Sequence, residues 1–470
     1  MQFDSFLFLA FFVSVLGAYH VLPNWRRQKQ LLLVASYLFY AAWSPPLVVL
    51  VWISTVVDFL VARVMARQQD RLHRRALLLV SLVVNLGLLG YFKYAEFLVT
   101  TFADVVATLG IHYQPPALDI ILPIGISFYT FQTLSYTIDV YRGRIAATDS
   151  WLDFALYVTF FPQLVAGPIV RAGDFLPQCE ERRIATPAAL GWGLTLMVFG
   201  IFGKIVLADN LLAPVADQVY AAPENYGSLD AGIGMLAFSG QIFFDFASYS
   251  LCAIGAALCF GFSLPDNFRS PYAAIGFSDF WSRWHISLSG WLRDYLYVPL
   301  GGNRAGATRT AANLGLTMFL GGLWHGAAWT FVIWGWLHGL LLVAEHGLRR
   351  WFSGWVPGPV ARVGLALMTF LAVTLAWVPF RAQGFDNLVA MLTAISRPEG
   401  SMSLATDTRV LVVSLLAGTV AWHGFTRHVS LEHRIAALPL AARAFLIAIL
   451  LVAVVLGTSG DTRAFIYFQF

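Results

Sequence analysis

Apolar residues in this chain come in runs of membrane-span length, punctuated by short clusters of arginine. One run, Leu31 to Val64, is too long for a single crossing at roughly 20 residues per span. Pro45 and Pro46 near its middle mark a turn between two crossings. Within hydrocarbon every backbone N–H and C=O must find its partner inside the chain, so runs this long are confined to helices. Composition agrees. Of 470 residues, 58% are hydrophobic and 12% charged, with mean hydropathy +0.69. Soluble domains carry about a quarter charged residues.

The cations set an orientation. Phe6 to Leu22 is a first span, closed by Pro23, and lacks the basic start and cleavage site of a signal peptide. Arg26, Arg27 and Lys29 follow it. Two spans later come Arg63, Arg67, Arg71, Arg74 and Arg75, on the same side. By the positive-inside rule that side is cytoplasmic and the N-terminus lies outside. Ala76 to Val99 then crosses, Thr101 to Leu118 is an outer loop, and Asp119 to Val140 returns. Arg142 and Arg144 again fall inside. A net charge of +4 dispersed in such clusters sets topology and points to a lipid bilayer, not to nucleic acid.

Trp151 to Val170 is interrupted by Pro162, Gly167 and Pro168, and reads as a broken or re-entrant element. Leu190 to Leu212 carries Lys204, and Asp230 to Phe262 carries Gln241, Asp245 and Ser248. Leu264 to Arg309 reads as short helices at the cytoplasmic surface. Ala311 to Val343 crosses twice, or dips and returns. Three more runs lie near Val363–Val378, Val410–Ala421 and Ala442–Leu456, leaving the tail outside. The expectation is an all-α polytopic protein of about eleven membrane elements, forming one transmembrane domain over residues 1–470. Three cysteines, Cys179, Cys252 and Cys259, lack the spacing of a disulfide framework or zinc site and read as buried thiols.

The chemistry concentrates in two stretches. From Gly321 to Gly339 runs GGLWHGAAWTFVIWGWLHG, with His325 among glycines and His338 thirteen residues on. An ionisable group at membrane depth is costly and faces a protein interior or wet cavity. A neutral imidazole there accepts a proton from a hydroxyl and returns it to a leaving group. An interhelical hydrogen bond explains such a histidine equally well. On one straight helix His338 stands far from His325 and reads as structural. From Asp279 to Leu300 runs DFWSRWHISLSGWLRDYLYVPL. Its Trp and Arg residues suit an interfacial helix, whereas His285, wedged between Trp284 and Ile286, suits a site. Gln241 and Asp245, four apart, share a helix face that lines a cavity or clamps two helices. Lys204 and Arg171 reach either a phosphate-bearing donor or lipid headgroups. There is no nucleophile elbow, zinc-binding HExxH pair or nucleotide loop.

Taken in order, the motifs resemble the membrane-bound O-acyltransferase family, and within it the bacterial alginate O-acetyltransferase branch. They are LPIGISFYTFQTLSYTIDVYRG, FFPQLVAGPIVR, FDFASYS, LPDNFRSPY, FWSRWHISLSGWLRDYLYVPLGGNR, GGLWHGAAWTFVIWGWLHG and the closing FIYFQF. The resemblance implies a ring of helices around a central funnel. It makes His325 the catalytic residue and His285 the second family-wide histidine, replaced by asparagine in eukaryotic members. Trp284, Arg283, Ser287, Asp245, Gln241 and Trp324 become candidates for donor or substrate binding. No bound cofactor or metal is implied. Acetyl-CoA is the expected donor, and an extracytoplasmic polysaccharide such as alginate the acceptor. A periplasmic or membrane-anchored acetyltransferase is the expected partner, and the bacterial inner membrane the location. D-alanyl transfer to another envelope polymer is the nearer alternative. A transporter or scaffold of envelope precursors is the more distant one. A transporter calls for paired broken helices in both halves, and the breaks at Phe161–Pro168 and Gly321–Gly326 have dissimilar surroundings.

Overall fold

A computed structural model describes residues 1–165, 167–352, 354, 356–429, 431–458 and 463–466. Residues 467–470, the end of the FIYFQF stretch, and Ala166 of FFPQLVAGPIVR lie outside the described residues. Those described are helical or irregular, with no strand among them. Among the described residues, eight helices are long and apolar enough to cross a membrane. Contacts divide the chain into two compact units, one of Met1–Met197 with Cys252–Pro265, the other of Val198–Leu251 with Asp266–Phe470.

The first unit opens with Phe6–Val21 and Trp25–Ala41. A 3₁₀ turn at Pro45–Leu47 then starts Val48–Arg67, so the double proline turns the chain as expected. Arg71–Leu89 continues through a π turn at Gly90–Tyr94 into Ala95–Thr108. The expected loop from Thr101 is therefore helical for another two turns. Its Phe102, Val105 and Val106 carry the apolar pattern onward, and the first breaker is Gly110, at positive φ.

The element broken by Pro162 consists of Trp151–Thr159 and Phe161–Leu164, both largely buried. Irregular backbone at such depth needs partners from the protein itself, and they are present. The Ser36 hydroxyl accepts from the Phe161 amide at 3.0 Å. Tyr157 donates to the carbonyls of Gln132 and Val170 at 3.0 and 3.1 Å. The Gln163 amide donates to the Tyr157 carbonyl at 2.7 Å.

In the second unit the decisive element is a helical hairpin, Gly306–His325 and Trp329–Trp351. The run expected to cross twice, or to dip and return, is helical on both sides of a break at Gly326–Ala328, and Trp329–Trp351 is long and apolar enough to cross a membrane. The two helices meet backbone to backbone. A Cβ on Gly322 would lie 2.3 Å from the Phe331 carbonyl oxygen, and one on Gly335 would lie 2.4 Å from that of Met318. Small residues allow this approach where apolar side chains gain nothing over lipid. The short helices expected between Leu264 and Arg309 are Phe277–Trp281 and Ile286–Leu292, with a π turn at Arg293–Tyr297. Several helices escaped the sequence reading, among them Ala172–Glu180, Ala213–Ala221 and Phe385–Ser396. Phe385–Ser396 buries Leu388, Met391 and Ala394 but has 12 residues, too few to register as a span.

Candidate active site

His325 is the last residue of its helix, and Gly326 behind it leaves for extended backbone. The glycine is required by contact: a Cβ there would lie 2.1 Å from the Phe331 ring. The turn delivers the imidazole into an aromatic box. Its ring centroid lies 5.0 Å from Trp324, 4.9 Å from Trp334 and 5.5 Å from Phe380, all edge-on. His325 is 3% exposed.

His285 arrives from the other stretch, 6.4 Å from His325 between ring centroids. It caps Ile286–Leu292 in the left-handed region, at φ 43° and ψ 55°. A non-glycine residue held there costs about 1–2 kcal/mol, and such residues cluster at functional sites. Two backbone bonds lock the kink: the Ile286 amide donates to the Asn267 carbonyl at 2.9 Å, and the Arg269 amide to the Arg283 carbonyl at 2.9 Å.

Asn267 also fixes the ring. Its Oδ1 takes the Ser287 hydroxyl at 2.9 Å and the Ser287 amide at 3.4 Å. A backbone amide can only donate, which identifies that atom as oxygen. The same oxygen is 3.1 Å from His285 Nδ1, so Nδ1 carries the hydrogen and Nε2 is the accepting nitrogen. The Asn267 Nδ2 group in turn donates to Ser250 at 3.0 Å. Burial pushes the His285 pKa down to about 3, so the ring is neutral at physiological pH.

The structure brings together only some of the residues expected at the site. Trp324 touches both imidazoles, at 5.8 and 5.0 Å. Ser287 supports His285 through Asn267. Trp284 is fully buried and stacks on Phe280, and its ring lies 5.0 Å from Trp377. Arg283 donates to Asp279 at 2.8 Å and to the carbonyls of Arg269 and Arg427 at 3.1 and 3.3 Å. Asp279 also takes Arg427 at 2.7 Å. Arg283 therefore braces the segment that carries His285.

Gln241 and Asp245 line a separate cavity of about 140 Å³ with Lys204, Asp209, Asp217 and Arg381. The shared helix face thus faces a cavity. Lys204 is ion-paired to Asp209 and Asp245 at 2.9 and 2.8 Å, not extended to headgroups.

His338 departs from the straight-helix geometry, because the chain reverses at Gly326. It comes back alongside the site and shares Trp334 with His325, 4.9 Å from each. Asn267, Trp334, Phe246 and Phe380 were not singled out from the sequence. Asn267 does lie in the LPDNFRSPY stretch, a motif whose chemistry is invisible until the His285 kink is seen. All three cysteines are buried and free. Among the described residues no group of three or more His, Cys, Asp or Glu is placed to hold a metal ion.

Comparison with known proteins bears on this arrangement. Residues 144–377 match the profile described as MBOAT, membrane-bound O-acyltransferase family. The chain is 41% identical over 422 residues to the probable alginate O-acetylase AlgI of Pseudomonas aeruginosa, spanning 89% of this chain and 79% of that protein. It is 36% identical over 428 residues to the peptidoglycan O-acetyltransferase of Helicobacter pylori, 83% of this chain and 79% of the relative. With the teichoic acid D-alanyltransferase of Bacillus subtilis it shares 28% over 292 residues, 59% of this chain and 73% of the relative.

Proposed function

Because this chain belongs to the membrane-bound O-acyltransferase family, and is therefore a membrane O-acyltransferase, we propose that it moves an acetyl group from a cytoplasmic thioester to an extracytoplasmic polysaccharide. Acetyl-CoA is the donor. Alginate and peptidoglycan, the polymers in the relatives' names, are the starting acceptors. Acetyl transfer ranks ahead of D-alanyl transfer on the strength of 41% identity over 89% of the chain against 28% over 59%.

The observation that carries this reading is the pair of imidazoles 6.4 Å apart, delivered by unrelated stretches forty residues from each other in sequence. His325 is the general base. It takes the proton of the acceptor hydroxyl as that oxygen attacks the thioester carbonyl. The C–S bond then breaks, and the proton passes to the departing thiolate. The box of Trp324, Trp334 and Phe380 keeps competing water from the base. His285 accepts a hydrogen bond at Nε2 and so orients a hydroxyl or the partner imidazole. Arg283 braces the segment behind it through Asp279, and Trp284 packs through Trp377 against Trp334 on the His325 side. The whole chain works as one transmembrane domain in the bacterial inner membrane, with its N-terminus outside. A periplasmic or membrane-anchored acetyltransferase completes delivery to the polymer.

The test is His325→Ala in the producing cell. Acetyl ester in the polymer should disappear while the protein stays at its normal level in the membrane. Undiminished acetylation would remove the chemistry and leave a scaffold or transporter.

A further inference from the structure

Beyond the helix Leu440–Gly457, the stretch Arg463–Ile466 is set into the second unit. A segment outside the regular elements keeps one position only where burial and hydrogen bonds tie it down. Both are present. Phe465 is 0% exposed and Ile466 3%. The Phe465 ring lies 4.3 Å from Tyr249 and 5.7 Å from Phe246. The Ile466 amide donates to Asp245 at 2.7 Å, and Arg463 is ion-paired with Asp217. Asn210 donates to the Gly457 carbonyl at 2.6 Å, which holds the end of the preceding helix.

The inner anchor is a buried ion pair. Lys204 and Asp245 stand 2.8 Å apart with side chains 3% exposed. Taking two charges out of water offsets most of what their attraction returns, so such a pair adds little over apolar residues of like volume. What it supplies here is register: a carboxylate at a fixed depth accepts one backbone amide of the stretch. Asp245 is followed by Phe246 on the helix Ser228–Cys259, as Ile466 is preceded by Phe465. Two adjacent residues of the helix therefore meet two adjacent residues of the stretch, one contact polar and one aromatic.

Phe246 is the link to the chemistry. Its ring stands at 90° to His285, with centroids 4.6 Å apart. It also meets Phe268 at 5.0 Å, the residue after Asn267. Asn267 fixes His285 at Nδ1, a single point about which the ring can still tilt. The tilt is set by what stands against the ring, and a close-packed interior transmits a shift of one ring to the next.

We infer that Arg463–Ile466 is a strap that sets the geometry of the active site. Phe465 is a positioning residue that holds Phe246 against His285, and the Lys204–Asp245 pair moors it. The inference rests on the acyltransferase reading above for its effect on transfer, but not for the placement of the ring.

The test is NMR of the purified full-length chain in nanodiscs with isotope-labelled histidine rings, beside acetyl ester per unit of membrane protein in the producing cell. His285→Asn and His338→Gln assign the two histidine signals. Phe465→Leu keeps most of the apolar volume and removes the ring. It should move the His285 signal, leave the His338 signal in place and lower acetyl ester about tenfold or more, a misplacement on the order of 1 Å costing about 100-fold. Ile466→Pro removes the amide that Asp245 accepts and leaves Phe465 intact. It should move the His285 signal in the same direction, and it decides the matter if Phe465→Leu fails to accumulate. An unmoved His285 signal, equal movement of the His285 and His338 signals, or full acetylation in Phe465→Leu where His325→Ala abolishes it would each overturn the strap's role. Transfer retained in His325→Ala counts against the acyltransferase reading alone, because the His285 signal reports the strap whether or not the site is catalytic.

Discussion

Two buried polar regions of the second unit are built on opposite electrostatic terms. Around His285 and His325 the ring neighbours are indoles and phenyl groups, and the orienting partner is the Asn267 amide. In the neighbouring cavity the side chains are mostly charged and tied to one another. A proton-transfer base needs its neutral form, which a low-polarity box preserves and a nearby charge would bias. Charges taken out of water need compensation, which the paired cations and carboxylates supply to one another. One unit thus holds an apolar ring box around its two imidazoles and, apart from it, a cluster of mutually compensated charges.

The sharpest way to break this contrast is to unbalance the cavity. Lys204→Met removes the cation shared by Asp209 and Asp245 and should destabilise the protein by about 3–5 kcal/mol. Adding Asp209→Asn and Asp245→Asn should recover most of that loss. Unfolding midpoints in micelles decide it, and a single variant no worse than the triple would mean the charges are not coupled.

On the histidine side, Asn267→Leu removes the acceptor that fixes Nδ1–H and supports the kink. Misplacement on the order of 1 Å costs about 100-fold in rate. Polymer acetyl ester per unit of membrane protein should fall accordingly. Asn267→Asp keeps the accepting oxygen and should restore most of the activity; equal losses in both would reduce Asn267 to a packing residue.

A pH series sharpens the contrast further. An unfolded histidine protonates near its ordinary 6.5, whereas folded His285 does so only near 3. Between those values the unfolded chain binds the extra proton, so stability must fall as pH is lowered through that window, by at most ~1.4 kcal/mol per unit. His285→Asn should flatten the slope of unfolding midpoint against pH. The smallest effect is expected where only exposed side chains are changed and the backbone bonds of the kink are kept. Asp266 and Arg269 pair at 2.9 Å with side chains 52% and 68% exposed. Arg269→Ala should move the midpoint by no more than ~0.5 kcal/mol.

Much of this was legible in the residues, and what was not has physical causes. Span length, proline breaks and arginine clusters are local signals, and they located the turn at Pro45, the broken element at Pro162 and the reversal near Gly326. His285 and His325 stood out because imidazoles in apolar runs are expensive. Their 6.4 Å approach is a tertiary fact that spacing cannot encode. Asn267 was hidden because its role exists only once His285 turns left-handed. His338 was misplaced because a straight helix was assumed through Gly326, where the helix ends and the backbone turns extended. Lys204 was ambiguous between headgroups and a site because a long flexible cation suits either until two carboxylates are found beside it.

The left-handed kink at His285 restricts which amino acids the position can hold. Among residues with a side chain, only asparagine, aspartate and histidine visit that region with any frequency. The roster of tolerated replacements is thus written in the chirality of the main chain before any question of chemistry arises. Asparagine, the residue the resemblance places here in eukaryotic members, is one of the three. A substitution such as valine would fail first by refusing the bend, and only afterwards by lacking a nitrogen.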